Sequence, residues 1–219
     1  MSNPPVSVVW DMLSKAPQLR NLLLEADKAE TLTFVPTKVS LPKLETLYLR
    51  RSSVAFMSSY TAHLECPKVH YLNCAADQLA RIDPFVQQRA HNIKTFVIHE
   101  GTVNVEAIST LKLLQKASTV EINGSAVQAG FWDALMAQDE VVLPALTKLR
   151  LVKVELDSDD DSLPRFVKSR RAIASAQTTT PATSQQPVAQ RLQRVEFVSA
   201  DALPSWFVAE IQYIMAQDK

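Results

Sequence analysis

A chain of 219 residues in which 47% are hydrophobic and 21% charged has the balance of an ordinary folded protein, long enough to enclose a sizeable core in one domain. Lys plus Arg and Asp plus Glu number 23 each, so the formal net charge is zero and the attraction to phosphate that dominates nucleic-acid binding is missing at the level of the whole chain. Apolar runs stay short of the roughly 18 residues of a membrane span, and two cysteines, Cys66 and Cys74, are too few for a disulfide framework, so the expectation is a cytoplasmic or nuclear protein with free thiols and neither a membrane nor a nucleic-acid partner.

In chain order, the start from Met1 to Pro5 has neither the positive nor the apolar region of a signal peptide. Seven segments then share one pattern, an often Pro-containing turn followed by apolar residues at relative positions 0, 3 and 5. They are Leu19, Leu22 and Leu24; Leu44, Leu47 and Leu49; Val69, Leu72 and Cys74; and Ile93, Phe96 and Ile98. A weaker copy holds Ala117, Val120 and Ile122, followed by Leu146, Leu149 and Leu151 and lastly Leu192, Val195 and Phe197.

The first positions are 25, 25, 24, 24, 29 and 46 residues apart. All but the last spacing fall in the roughly 20–29 residue period of leucine-rich repeats. That template also asks for an apolar residue at relative position 10, where the chain has Ala29, Val54, Leu79, Val103, Val127, Leu156 and Ala202. Seven apolar residues there by chance would occur on the order of 1% of the time, so the register is taken as real. Position 8, where the template has Asn or Cys, holds Asp27, Ser52, Asp77, Gly101, Ser125, Val154 and Ala200. Only four of these have short polar side chains that can bond a turn backbone, which predicts an irregular solenoid.

Between the strands, Val105, Ile108, Leu111 and Leu114 recur at helical spacing, as do Phe131, Trp132, Leu135 and Met136. Leu163 to Ser175 reads as a basic helix, residues 177–187 as a flexible insertion without large apolar side chains, and about 204–217 as a capping helix with Phe207, Ile211 and Ile214 inward and a polar exit. The fold expected is α/β: one leucine-rich-repeat domain over 1–219 with repeats starting near 16, 41, 66, 90, 114, 143 and 189. A parallel sheet lines its concave face, with helices and loops on the convex face.

Repeats beginning Leu-Pro-x-Leu or Cys-Pro-x-Val, with a late stretch from Phe166-Val-Lys-Ser-Arg170 through a variable loop to Leu192-Gln-Arg-Val195, resemble the repeat domains of fungal, mainly mushroom-type, F-box proteins. The resemblance runs from about Val9 to Phe197. It implies a domain that recruits a protein for ubiquitination by a cullin-type ligase. No F-box is expected here, because the first repeat opens by Ala16 and Met1 to Lys15 shows no Leu-Pro-x-Glu start; the adaptor would be separate. The alternative is a structural scaffold or decoy paralogue with no ligase role.

His63, Cys66, His70 and Cys74 have zinc-ligand types, but Cys66 and Cys74 occupy apolar repeat slots, so no metal is expected. Asp157, Asp159, Asp160 and Asp161 lack the Gly and distant Glu of a calcium loop and read as a solvated turn. Arg165, Lys168, Arg170 and Arg171 read as a solvated basic face able to pair with that run. With three glycines, Gly101, Gly124 and Gly130, neither a phosphate loop nor a dinucleotide loop can be written, so neither an enzyme nor a cofactor is expected.

Strand alternation turns positions 2, 4 and 6 away from the core. This predicts a protein-binding concave face of Tyr48, Arg50, Tyr71, Asn73, His99, Glu121, Lys148 and Arg150. Tyr48, Arg50, Tyr71 and Asn73 lead, because Tyr and Arg are enriched at interface hot spots, and Lys148 with Arg150 forms a second patch for an acidic partner. The competing reading is a solvated sheet face that binds nothing.

Overall fold

Each Pro-containing segment folds as a turn that feeds a strand. In the computed structural model, which describes residues 5–26, 37–51, 53, 61–156, 160–176, 189–199 and 203–217, the N–H of Leu44 donates to Leu41 O at 3.1 Å and that of Val69 to Cys66 O at 3.4 Å. Leu146 bonds Leu143 O in the same way at 3.0 Å. Pro42, Pro67 and Pro144 take the second position of these turns, where a fixed φ near −65° is already correct. The next residue's carbonyl then starts the sheet: Arg20 O accepts from both Glu45 and Thr46, and His70 O from both Lys94 and Thr95.

The elements in order are α1 (Val6–Ser14), β1 (Asn21–Ala26), β2 (Val39–Ser40), β3 (Thr46–Arg51), β4 (Leu64–Glu65), β5 (Tyr71–Ala75) and α2 (Leu79–Arg89). They continue with β6 (Thr95–His99), β7 (Thr102–Val103), α3 (Ala107–Leu113), β8 (Thr119–Asn123), β9 (Ala126–Val127) and α4 (Phe131–Met136). The last are β10 (Lys148–Val152), α5 (Ser162–Ala176), β11 (Arg194–Val198) and α6 (Ser205–Ala216).

A seven-stranded sheet runs β1-β3-β5-β6-β8-β10-β11, every pair parallel. One rung joins Asn21, Thr46, Tyr71, Thr95, Thr119, Lys148 and Arg194. The strands pair in sequence order, each connection returning the chain beside the strand it left. Two further pairs, β2 with β4 and β7 with β9, form short parallel ladders of their own.

Positions 0, 3 and 5 form the inner wall. Leu44, Leu47, Leu49, Val69, Leu72, Cys74, Ile93, Phe96 and Ile98 are all fully buried. The terminal strands are less covered, with Leu19, Leu24, Val195 and Phe197 only partly buried. Of the described position-10 residues, Leu79, Val103 and Val127 are buried and Leu156 partly so. Each large apolar side chain so enclosed contributes roughly 1.5–3 kcal/mol, which is why the 3-and-5 spacing fixes the face.

The helices cover that wall. Ile108, Leu111 and Leu114 point inward as expected, but Val105 precedes α3 and is 52% exposed. Neither α1 nor α2 was expected; α2 buries Leu79, Ile82, Phe85, Val86 and Arg89 along one face. The closing helix α6 buries Phe207, Ile211 and Ile214, yet its outer side is not wholly polar, since Trp206 and Tyr213 are 54% and 66% exposed. Among the described residues no helix is long and apolar enough to cross a membrane. The expected insertion over 177–187, and Asp157 with Asp159, lie outside the described residues.

Position 7 has a left-handed backbone at five strand ends: Arg51 (φ 54°), Glu100 (52°), Gly124 (60°), Lys153 (49°) and Ser199 (52°). The turn is held because the N–H of one strand end bonds the next, as in Glu100 to Asn123 O, Gly124 to Val152 O and Lys153 to Val198 O. Only Gly124 is free of the Cβ clash, which costs roughly 1–2 kcal/mol elsewhere. Lys153 is exposed, so Lys153→Gly should raise stability by about 0.5–1 kcal/mol after the extra unfolded-state entropy of glycine is subtracted. Chemical denaturation reads this directly, and a destabilised variant would show that the lysine side chain supports the turn.

Candidate protein-binding surface

The sheet face opposite the helices carries positions 2, 4 and 6, and its two halves differ. On β3 and β5, Tyr48 and Tyr71 stand on neighbouring strands with ring centroids 5.5 Å apart, tilted by 50°. Both are half-buried, so each rests on the sheet and shows part of its ring. Burial raises the Tyr71 phenol above its ordinary pKa, helped by Tyr48 and Glu121 and opposed by the Asn73 amide. Asn73 Oδ1 is buried without a hydrogen-bond partner among the described residues. Arg50, two residues beyond Tyr48 on the same face, is exposed and makes no ion pair among the described residues.

His99 was expected on this face in the open. It lies at the end of β6 between Ala75 and Asn123 in register, and is only 7% exposed. Neither ring nitrogen has a hydrogen-bond partner among the described residues. Burial lowers its pKa below the ordinary histidine value; Glu100 and Asp77 oppose that shift and Arg50 adds to it. Ala75 and Val97 are buried too, Val97 because Asn73 and Glu121 flank it on the same rung.

The other half closes on itself. Arg150 bonds Glu121 at 2.8 Å and approaches Glu196 at 3.4 Å. Lys148 and Arg194 reach the same Glu196 at 3.0 and 2.6 Å, and Asn123 donates to Glu121 at 3.1 Å. Lys148 holds the Glu196 carboxyl below its usual range, with Arg194 and Arg150 contributing. The expected free basic patch at Lys148 and Arg150 is therefore a network in which Lys148, Arg150 and Arg194 share the two carboxylates of Glu121 and Glu196.

Among the described residues no group of three or more His, Cys, Asp or Glu is placed to hold a metal. Cys66 and Cys74 are buried free thiols, both pushed up in pKa by burial. His70 is exposed, its Nδ1 3.2 Å from Lys68 O.

The basic face of α5 is solvated only in part: Arg165 and Lys168 are exposed, while its other two arginines are buried. Arg170 is 3% and Arg171 8% exposed. Arg170 donates to Leu143 O at 2.8 Å and to Val142 O and Gln190 O at 3.4 Å. On α2, Arg89 serves an earlier turn, donating to Cys66 Sγ at 3.1 Å, to Thr61 O and to Leu64 O while lying 4.4 Å over the Phe85 ring. Both arginines tie a helix to backbone carbonyls that lead into a strand, a role sequence reasoning missed. The signal was present, since Arg89 follows Ile82 and Phe85, and Arg170 follows Leu163 and Phe166, at the 3- and 4-residue spacing of a buried face.

Within the acidic run, Asp160 Oδ1 accepts from the Ser162 N–H at 2.8 Å and Oδ2 from the Gly130 N–H at 3.0 Å, which ties the start of α5 to the start of α4. Burial alone would raise its pKa, but these bonds and Arg165 bring it below the usual carboxylate value. Arg165 pairs with Asp161 and Asp133 at 2.9 and 2.8 Å.

No family model matches this sequence, and neither a curated protein nor a solved structure was found to match it.

Proposed function

We propose that the chain is a protein-binding module, an irregular leucine-rich-repeat solenoid of about seven repeats that takes its partner on the sheet face free of helices. The repeat spacing, the parallel rungs and the recurring left-handed turn at position 7 support the repeat reading. The observation that carries the binding reading is the Tyr48–Tyr71 pair, half-buried aromatics in contact on adjacent strands, beside an exposed Arg50. Rigid aromatic side chains and arginine supply most of the energy at protein interfaces. The resemblance to mushroom-type F-box proteins adds a role for the module, recruitment of a protein to a cullin-type ligase through a separate adaptor.

The test is an affinity purification with the intact chain and with a Tyr48→Ala, Tyr71→Ala double variant. A protein retained by the first should bind the second more weakly by about 2 kcal/mol or more, close to thirtyfold, with the thermal midpoint nearly unchanged. Adaptor and cullin peptides among the retained proteins support the ligase role. Equal affinity in the double variant would move the site to the helical side.

A further inference from the structure

The contrast between the two halves of the open face bears on the chemistry of the partner. Over β8, β10 and β11 each cation already has a carboxylate partner, with Arg150 between Glu121 and Glu196 and Lys148 and Arg194 on Glu196. Over β3, β5 and β6 the pairing is incomplete: Arg51 takes Glu25 at 3.1 Å, and Glu25 stands in register with Arg50 without pairing to it. Arg50 is exposed with no ion pair among the described residues, and it lies close enough to His99 for its charge to oppose protonation of that ring. His99 and Asn73 together leave three buried polar atoms without hydrogen-bond partners among the described residues. All three atoms are closed to solvent, so the polar group of this half that a partner reaches directly is the exposed Arg50. Tyr48 and Tyr71 add an apolar shelf that reaches Arg50 along β3.

We infer that the partner presents an acidic peptide segment to this half of the face, its carboxylate on Arg50 beside His99 and a neighbouring apolar group on the Tyr48–Tyr71 shelf. The inference rests on the open-face binding reading above. An arginine fork matches a carboxylate in two hydrogen bonds. Among the described residues, the other charged groups that act on His99 are Asp77 and Glu100. Both are exposed and sit past the strand ends, where solvent weakens their repulsion of an incoming carboxylate. A proton on His99 adds a second positive charge next to Arg50. Because its pKa lies below the ordinary value, this needs a more acidic solution than an ordinary histidine does, while a partner Asp or Glu keeps its charge down to about pH 4.

The experiment selects binders to the intact chain from a phage-displayed library of random peptides, then measures the affinity of the enriched peptides for variants. The expected peptides carry Asp or Glu beside an aromatic or aliphatic residue. Their affinity should fall at least about tenfold in Arg50→Glu, and less in Arg50→Gln, in line with the loss of a charge-assisted pair. It should be unchanged in Lys112→Glu, an exposed cation on the helical side, and should rise as the pH is lowered from about 7.5 to about 5. Enriched peptides without acidic residues that still lose affinity in the Tyr48→Ala, Tyr71→Ala variant would overturn the acidic preference and leave the open face as the binding surface. No enrichment, or peptides indifferent to both Arg50 and the two tyrosines, would overturn both.

Discussion

Replacing Arg170 with Ala is expected to destabilise the chain by about 3–5 kcal/mol, because buried carbonyls lose their donors and the side chain leaves a cavity. With a total stability on the order of 5–15 kcal/mol for a domain, that is a large share. The guanidinium is 3% exposed and donates to Val142 O, Leu143 O and Gln190 O. Burial pushes its pKa down to about 10, which still leaves it charged at neutral pH. Leu143, one of its acceptors, is a buried leucine held at φ 55°, a strained conformation that Arg170 helps to keep in place. Gln190 lies on the way into β11, so one side chain binds the entrances of β10 and β11 together. Arg170→Lys should recover little, because a single ammonium on a flexible stem cannot span carbonyls that the planar fork reaches at once. Arg170→Met should lie between wild type and Ala, since it keeps volume and removes the desolvated charge but leaves the carbonyls unbonded. Urea unfolding of the series checks the order. A loss below about 1 kcal/mol for Arg170→Ala would return Arg170 to the solvated face expected from sequence alone.

The sheet was legible because its register is a hydrophobic pattern. A shift of one residue would turn Leu47, Leu72 and Phe96 outward, so their spacing specifies both the face and the rung. The next rung contained the ion network, since Arg150 faces Glu121 on one side and Glu196 on the other. Reading opposite charges along the rung would have shown that the patch is paired. The left-handed turns were hidden, since Arg51, Glu100, Lys153 and Ser199 have no residue type that favours φ above zero, and the conformation is imposed by the neighbouring strand. Helix α2 was obscured differently, by Pro84 in its middle and a face that ends in Arg89 rather than an apolar residue. A rule that counts only apolar residues misses arginines whose stems pack in the core while their heads bond carbonyls. In the candidate site, Tyr48 and Tyr71 were legible from alternation alone. The burial of His99 was not, because it depends on neighbours from other repeats.

Trp132→Ala should cost about 3–5 kcal/mol, while Trp132→Phe should fall within about 1 kcal/mol of wild type. Trp132 is 4% exposed on α4, a helix of only 6 residues that has little stability of its own and depends on what it buries. Its ring stands 5.0 Å from Phe131 and 5.1 Å from Phe166 on α5. With Val127, Leu163 and Phe207 it also lines a small internal gap, so one side chain joins α4 to α5 and to the closing helix α6. Truncation to Ala would leave a cavity that these rigid elements cannot collapse to fill. The step to Phe removes part of the ring but also removes a liability, because the indole Nε1 is buried with no hydrogen-bond partner among the described residues. An unbonded buried donor costs roughly 1–3 kcal/mol, about what the lost ring volume is worth, so the two changes offset. The chain has three tryptophans, and removing one changes the fluorescence baseline, so unfolding is best followed by far-ultraviolet circular dichroism. If Trp132→Phe proves nearly as costly as Trp132→Ala, the indole N–H is bonded, through an enclosed water, and its hydrogen bond belongs with the aromatic contacts among the forces that hold α4 in place.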